Sequence, residues 1–243
     1  MLFAAGRGER LRPLTDRTPK PLLPAGGRPL IEWQVAGLVR AGIVDIVINT
    51  AHRGDALVAA LGDGGRLGAR IAWSHEGPRA ADALETAGGI VQALPLLGEA
   101  PFIAASGDLV TDFPYATLSA AAARVQAGAC DAHLVLVDNP PYHPGGDMGL
   151  EGGRATRRPP LLTYGNIGVF APGLFRTLAA GRRALFPWLY AWVEAGRVGA
   201  EHYRGRWINV GTPADLDEAE RALAGGAGVD RAVQADRAAG TGG

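Results

Sequence analysis

Arg10 and Lys20 lie in one glycine- and proline-rich stretch, 6–27, where both are set up to meet an anion. Gly6 and Gly8 flank Arg7. Glycines let a backbone approach an anion closely and adopt left-handed dihedrals. Arg10 and Arg12 carry planar forks that match phosphate oxygens two at a time. Lys20 stands between Pro19 and Pro21, whose rings stiffen the backbone, so its ammonium is a cation in a fixed place. A dinucleotide fingerprint needs a third glycine where Leu11 stands, and Pro13 opposes the tight helix start. The Gly-Lys-Ser/Thr of a P-loop is absent. On the loop alone, a phosphate cradle and a solvated turn bearing surface arginines both stay open.

Asp108, in Ser106-Gly107-Asp108, is the second centre. It follows an expected strand over 102–105, and ligands of open parallel sheets bind outside such strand ends. A carboxylate there suits Mg²⁺, which takes one or two protein oxygens and fills its shell with water and phosphate. The ordinary alternative is a loop aspartate capping the next turn. His52, His75, His133, His143 and His202 form no pair at metal spacing, and His133 on an apolar strand reads as core. Three serines and no Gly-x-Ser-x-Gly elbow argue against a serine hydrolase. Trp33, Trp188 and Trp192 sit at helical spacings and also read as core.

The elements that position these residues alternate. Strands are expected at 1–5, 45–50, 69–74, 102–105 and 132–137, with helices at 30–42, 55–61, 86–94 and 115–127. That alternation predicts an α/β fold with a doubly wound, mostly parallel sheet. Beyond 137 the pattern changes. Residues 138–160 read as irregular, 161–170 as a strand, and 173–180 and 186–195 as helices. Short β segments at 199–203 and 206–210 flank Arg204-Gly205 as a possible hairpin. Thr212-Pro213-Ala214-Asp215 then opens a helix with a cap and a carboxylate three residues on. From 224 the chain is Ala/Gly-rich without periodicity and reads as a disordered tail.

Composition bounds the class. The 243 residues suit one domain, or one with a small lobe. With 24 acidic and 24 basic side chains there is no electrostatic case for nucleic acid or an anionic membrane. Lone Cys130 excludes an internal disulfide framework and a cysteine-rich zinc site. No apolar run reaches the ~18–20 residues of a membrane span. A soluble cytoplasmic protein is expected. Nothing here selects between a monomer and a homo-oligomer.

Ala4-Ala5-Gly6-Arg7-Gly8-Glu9-Arg10-Leu11-Arg12-Pro13-Leu14-Thr15, Thr18-Pro19-Lys20-Pro21-Leu22 and Gly27-Arg28-Pro29-Leu30-Ile31 together resemble the signature of sugar-nucleotide pyrophosphorylases. These nucleotidyltransferases join a nucleoside triphosphate to a sugar 1-phosphate. The likeness runs to about residue 223. It implies a Rossmann-like, GT-A-like domain over 1–223, with a nucleotide-binding half (1–137) and a sugar-binding half containing a small β lobe (138–223). It implies Arg10 and Lys20 as catalytic, and Ala4, Ala5, Gly6, Gly8, Glu76 and Thr86 as nucleotide-binding. Thr86 belongs to Leu84-Glu85-Thr86-Ala87-Gly88-Gly89, where it also reads as a helix cap. Gly88, Gly146 and Asn166 are implied to meet the sugar. Asp108 is implied to bind Mg²⁺ with Asn209 of Trp207-Ile208-Asn209-Val210-Gly211-Thr212, where the family more commonly has Asp. Asn keeps a hard oxygen but lacks a charge, so weaker Mg²⁺ binding is expected.

Within the family, 134–140 and 196–207 look most like the branch that uses UTP and N-acetylmuramate 1-phosphate, in cell-wall sugar recycling. A short mannose-1-phosphate guanylyltransferase is the alternative, and a non-catalytic nucleotide-sensing subunit a more remote one. Absence of a Glu-Lys-Pro motif before 161–170 counts against glucose-type enzymes. Absence of a C-terminal β-helix counts against the bifunctional N-acetylglucosamine enzymes. Only Met1, Leu2 and Phe3 precede Ala4, fewer than family members carry. The first strand is therefore expected to be short, or the chain to start further upstream.

Overall fold

The structure, a computed structural model, describes residues 1–224. The expected tail lies outside the described residues apart from Ala224, which is still helical. The order is β1 (Leu2–Phe3), β2 (Pro24–Ala25), β3 (Arg28–Pro29), α1 (Leu30–Arg40), β4 (Asp45–Thr50), α2 (Gly54–Leu61) and β5 (Arg70–His75). Then come α3 (Glu85–Leu97), β6 (Phe102–Ser106), β7 (Leu109–Thr111), α4 (Leu118–Gln126) and β8 (Ala132–Val137). The second half holds β9 (Met148–Glu151), β10 (Arg154–Thr156), β11 (Leu161–Phe170), α5 (Tyr190–Glu194), β12 (Val198–Tyr203), β13 (Trp207–Asn209) and α6 (Pro213–Ala224).

Nine strands form one sheet in the order β5-β4-β1-β6-β11-β8-β12-β10-β9. β5, β4, β1 and β6 are parallel, as the alternation predicts. The rest is mixed, which corrects the mostly parallel expectation. After β8 the chain makes the β9–β10 pair and returns as β11, antiparallel to β6, β8 and β9. The chain between β8 and β11 contains no helix to carry it back for a parallel entry. The stretch 138–160, expected to be irregular, thus supplies two strands. They extend the main sheet rather than forming a detached lobe.

Side chains alternate between the sheet faces. Ile46, Ile48, Ala105 and Val135 pack on one face with α1, α2 and α4, while Val47, Ala104, Leu134 and Leu136 pack on the other with α3. Helices on both faces make the fold doubly wound. α1 ends in a Schellman motif, with Gly42 N–H to Val39 O at 2.9 Å and Ile43 N–H to Leu38 O at 3.0 Å. His133 is buried in β8, as expected.

Other expectations are corrected. The helix expected at 86–94 runs on to Leu97, with Pro95 inside it. The 115–127 helix begins as a 3-10 turn, with α4 starting at Leu118. The 173–180 helix is a 3-10 turn at Pro172–Leu174, and 186–195 keeps only α5 as α-helix. β12 and β13 form no hairpin. β12 pairs with β8, and β13 crosses to β7 in a separate ribbon. Burying Val198, Gly199 and Ala200 beside an apolar strand outweighs the local turn signal.

Candidate active site

The glycine loop is anchored by buried Ala4, Leu11 and Thr15, while Gly6, Arg7, Glu9 and Arg10 are exposed. Ala4 is buried and donates its amide to Asn49 Oδ1 at 2.8 Å. Gly8 takes φ +66° and opens a 3-10 turn over Glu9–Leu11. A Cβ at Gly8 would stand 2.9 Å from Thr15 Cγ2 and 3.0 Å from Lys20 Cβ. Dihedral and space both require glycine there. Thr15 Oγ1 donates to Gly8 O at 2.8 Å, and buried Leu11 and Leu23 pin the loop to Val110, Ile208 and Val210.

That anchoring brings Lys20 onto Asp108. They form an ion pair with side chains only 13% and 18% exposed. Asp108 Oδ1 is buried and has no partner among the described residues. Asn209 arrives through the β7–β13 ribbon: it lies opposite Leu109, and Val210 N–H donates to Asp108 O at 3.1 Å. Behind it the expected cap forms. Thr212 N–H reaches Asp215 Oδ2 at 2.7 Å, and Asp215 N–H reaches Thr212 Oγ1 at 3.3 Å. Arg10 rests on Gly211, where a Cβ would be 2.7 Å from its Nη2. Lys20, Asp108, Asn209 and Arg10 therefore converge.

Two cavities open in this region. A cleft of about 610 Å³ is lined by Ala5, Gly6, Glu76, Thr86 and Asp108, at the C-terminal ends of the parallel strands. A second cavity of about 210 Å³ is lined by Tyr142, His143, Asp147, Asn166 and Asn209. Asp108 faces the first and Asn209 the second. A larger, mainly apolar cavity of about 840 Å³ opens at the N-terminal ends of the same parallel strands. Its charged lining residues, Asp45 and Arg70, satisfy each other through two 2.7 Å hydrogen bonds. It has neither glycine loop nor convergent polar groups, so the smaller pair is the functional site.

Several expected residues take other positions. Glu76 lines the cleft, but Oε1 accepts Asn49 Nδ2 at 2.6 Å and Oε2 accepts Leu84 N–H at 2.7 Å. Its carboxylate ties three segments together. Burial raises its pKa, and these two bonds oppose the rise. Thr86 is the second residue of α3, whose cap is Leu84 with no side-chain bond, so Thr86 is not the cap. Gly88 is buried and lines neither cavity. A Cβ there would collide with Gly181 O and stand 3.1 Å from Arg183 N. Asn166 reaches the second cavity because β11 is irregular between Tyr164 and Gly168, which puts Asn166 at φ +55°. Gly146, at φ +61°, turns the chain so that Asp147 faces that cavity and accepts Tyr164 N–H at 2.7 Å.

Residues the sequence reading missed include Asn49 and Tyr142. Asn49 carried a signal, a polar side chain ending the apolar run 45–50. Tyr142 carried none. It lines the second cavity with Asn209, and partial burial raises its phenol pKa, with Asn209 and Arg10 opposing.

The donors suit a hard cation: one unpartnered buried carboxylate oxygen and one neighbouring amide. No group of three or more His, Cys, Asp or Glu gathers among the described residues, so the chain supplies no closed metal cage there. A cation at Asp108 and Asn209 would complete its shell with water and substrate oxygens, as Mg²⁺ does. No helix among the described residues is long and apolar enough to cross a membrane.

An α/β sheet with a glycine loop, a largely buried Lys–Asp pair and a cleft at the C-terminal ends of its parallel strands has the build of a nucleotide-processing enzyme. The Nucleotidyl transferase family profile matches residues 1–149, and the chain belongs to that family. It is 45% identical to N-acetylmuramate alpha-1-phosphate uridylyltransferase of Neisseria meningitidis over 231 residues, covering 93% of this chain and 97% of that protein. The enzyme of the same name from Caulobacter vibrioides is 32% identical, covering 92% and 96%. Among solved structures, a Bacillus anthracis protein described as a glucose-1-phosphate thymidylyltransferase superposes with TM-score 0.78 at 21% identity, covering 91% and 93%. That likeness shows the shared fold. Family membership makes the chain a nucleotidyltransferase and sets aside the non-catalytic alternative.

Proposed function

We propose that the chain transfers the uridylyl group of UTP to N-acetylmuramate 1-phosphate. The products are UDP-N-acetylmuramate and pyrophosphate, in cytoplasmic recycling of cell-wall sugar. The observation carrying this reading is an open cleft lined by the glycine loop and Asp108, with Lys20 paired to that carboxylate and the β7–β13 ribbon bringing Asn209, which lines a smaller cavity, close by. The two uridylyltransferase relatives support the choice of base and sugar.

The nucleotide enters through residues 1–137. Ala5 and Gly6 line the pyrophosphate side, and Gly8 shapes that loop. Ala4 sets the loop height through Asn49, and Thr86 and Glu76 border the nucleoside. Residues 138–223 supply the sugar side, with Asn166 in the wall and Gly146 shaping its rim. A sugar phosphate is already an anion at neutral pH, so no general base is required, and catalysis is positioning with charge neutralisation. Its oxygen attacks the α-phosphorus in line, the bond to the β-phosphate oxygen breaks, and pyrophosphate leaves. Lys20 neutralises the two phosphates as they meet. Arg10 takes the β- and γ-phosphates and stabilises the leaving group. When bound at Asp108 and Asn209, Mg²⁺ adds Lewis-acid stabilisation of charge on the α-phosphate.

The test is pyrophosphate release with Mg²⁺, crossing UTP, GTP and dTTP with the 1-phosphates of N-acetylmuramate, N-acetylglucosamine, mannose and glucose. Release confined to UTP with N-acetylmuramate 1-phosphate supports the proposal. Release with GTP and mannose 1-phosphate replaces it.

A further inference from the structure

N-acetylmuramate differs from N-acetylglucosamine by a lactyl ether that ends in a carboxylate. A site that selects the first sugar needs a cation placed for that carboxylate and not consumed by the phosphates. Lys20 is paired with Asp108, and Arg10 rests over Gly211 beside Asp215. Two arginines line the larger cleft, Arg7 and Arg182. Arg7 belongs to the glycine loop and holds Glu9 at 2.9 Å. Arg182 comes from a different direction.

Segment 181–186 contributes a side chain to the wall of each cavity. Arg182 lines the larger one, and Phe186, four residues on, lines the smaller. The segment is held by backbone bonds to the start of α3: Arg183 N–H to Leu84 O at 2.8 Å and Gly88 N–H to Arg183 O at 3.0 Å. Phe186 is fixed against Tyr164 and Tyr190, with ring centroids 5.7 and 4.9 Å away. Arg182 thus projects from a backbone anchored on both sides.

Its pairing is of the exchangeable kind. Nε and Nη2 both donate to one oxygen, Glu85 Oε1, at 3.2 and 2.6 Å. Nη1 makes no hydrogen bond among the described residues. The side chains are 68% and 42% exposed, and exposed ion pairs contribute little. Glu85 itself sits at φ +64°, a conformation that non-glycine residues rarely adopt. A substrate carboxylate reaching this wall of the cleft would find a planar fork with donors to spare.

We infer that Arg182 is the residue that recognises the carboxylate of the sugar substrate, and so sets the preference for a carboxylated sugar 1-phosphate over its neutral counterpart. The inference rests on the proposed sugar.

The experiment measures kcat and KM at saturating UTP for wild type, Arg182→Gln and Arg182→Lys. The acceptors are N-acetylmuramate 1-phosphate, the same sugar with its lactyl carboxylate converted to an amide, and N-acetylglucosamine 1-phosphate. Arg182→Gln should raise KM for the carboxylated sugar by about 10- to 100-fold, the range expected for a charge-assisted pair. The two neutral sugars should change by less than about 3-fold. Arg182→Lys keeps charge without the fork and should fall between. Wild type preferring the carboxylated sugar, with Arg182→Gln keeping that preference, overturns this inference and leaves the proposed function standing. Wild type turning over only another sugar overturns both. Because the side chain is exposed, unfolding midpoints should agree among the three proteins, and a large shift would show a structural role instead.

Discussion

Replacing Asn49 with alanine removes two hydrogen bonds that hold the nucleotide cleft in shape. Asn49 is 3% exposed and links the Ala4 amide, at the root of the glycine loop, to Glu76 on the far wall. Losing the first bond leaves a buried donor without a partner, which costs about 1–3 kcal/mol. The second is a bond to a carboxylate, worth about 1.5–3 kcal/mol when fully formed, and its half-buried partner places it at the low end. Together they give about 3 kcal/mol near neutral pH. The two parts separate by titration. Burial lifts Glu76 above the ordinary 4.5, so this group stabilises the native state most fully below 4.5, and that benefit is lost as pH rises through the native value. Removing the Asn49 donor pushes the native value further up, so the mutant suffers more at high pH. Urea unfolding at pH 7.5 and pH 4 should give a loss of about 3 kcal/mol at the first and about 2 kcal/mol at the second. A loss below about 1 kcal/mol at pH 7.5, or equal losses at both, refutes the description of Glu76 as a half-buried charge held by Asn49.

Lys20→Ala should lower kcat by about 10²–10³, as loss of one preorganised charge-stabilising donor does. Near wild-type turnover would remove Lys20 from the chemistry. Asn209→Asp adds a negative charge beside Asp108 and should lower the Mg²⁺ concentration giving half-maximal rate, read from a metal titration. An unchanged midpoint would mean that residue 209 does not hold the metal. Gly88→Ala forces a Cβ onto the Gly181 carbonyl and should destabilise the fold by about 1–3 kcal/mol, visible as a lower Tm. A neutral effect would show that segment 181–183 moves freely from α3.

The elements whose pattern is local were legible in the sequence. Residues 45–50, 132–137 and 161–170 are β-branched or apolar runs, and they are strands at those limits. The Thr212–Asp215 cap was legible because its bonds join residues three apart. Strand partnership was not. β12 and β13 looked like a hairpin, yet long-range burial beside β8 decided their fate. β9 and β10 were hidden because Gly, Pro and Arg dominate 138–160, and their pairing is with each other and with distant strands. In the site, Lys20 announced a charge on a stiff backbone and Asp108 a carboxylate just past a strand end, although the two stand 88 positions apart and nothing local says that they touch. Gly88 resembled a ligand contact because the short motif 84–89 holds both residues that line the cleft, such as Thr86, and residues packed into the scaffold. Glu76 lines the cleft, and nothing local in the sequence says that its carboxylate is also tied to Asn49 and Leu84.

The most direct test of nucleotidyl transfer at the Asp108–Asn209 junction follows the label. UTP carrying ³²P at the α-phosphate, and separately at the γ-phosphate, is incubated with enzyme, Mg²⁺ and N-acetylmuramate 1-phosphate, and the products are separated. The expected result is α-label in the nucleotide sugar, γ-label in pyrophosphate, and loss of both products in Asp108→Asn. Label leaving as inorganic phosphate, or full transfer by Asp108→Asn, would contradict the assignment.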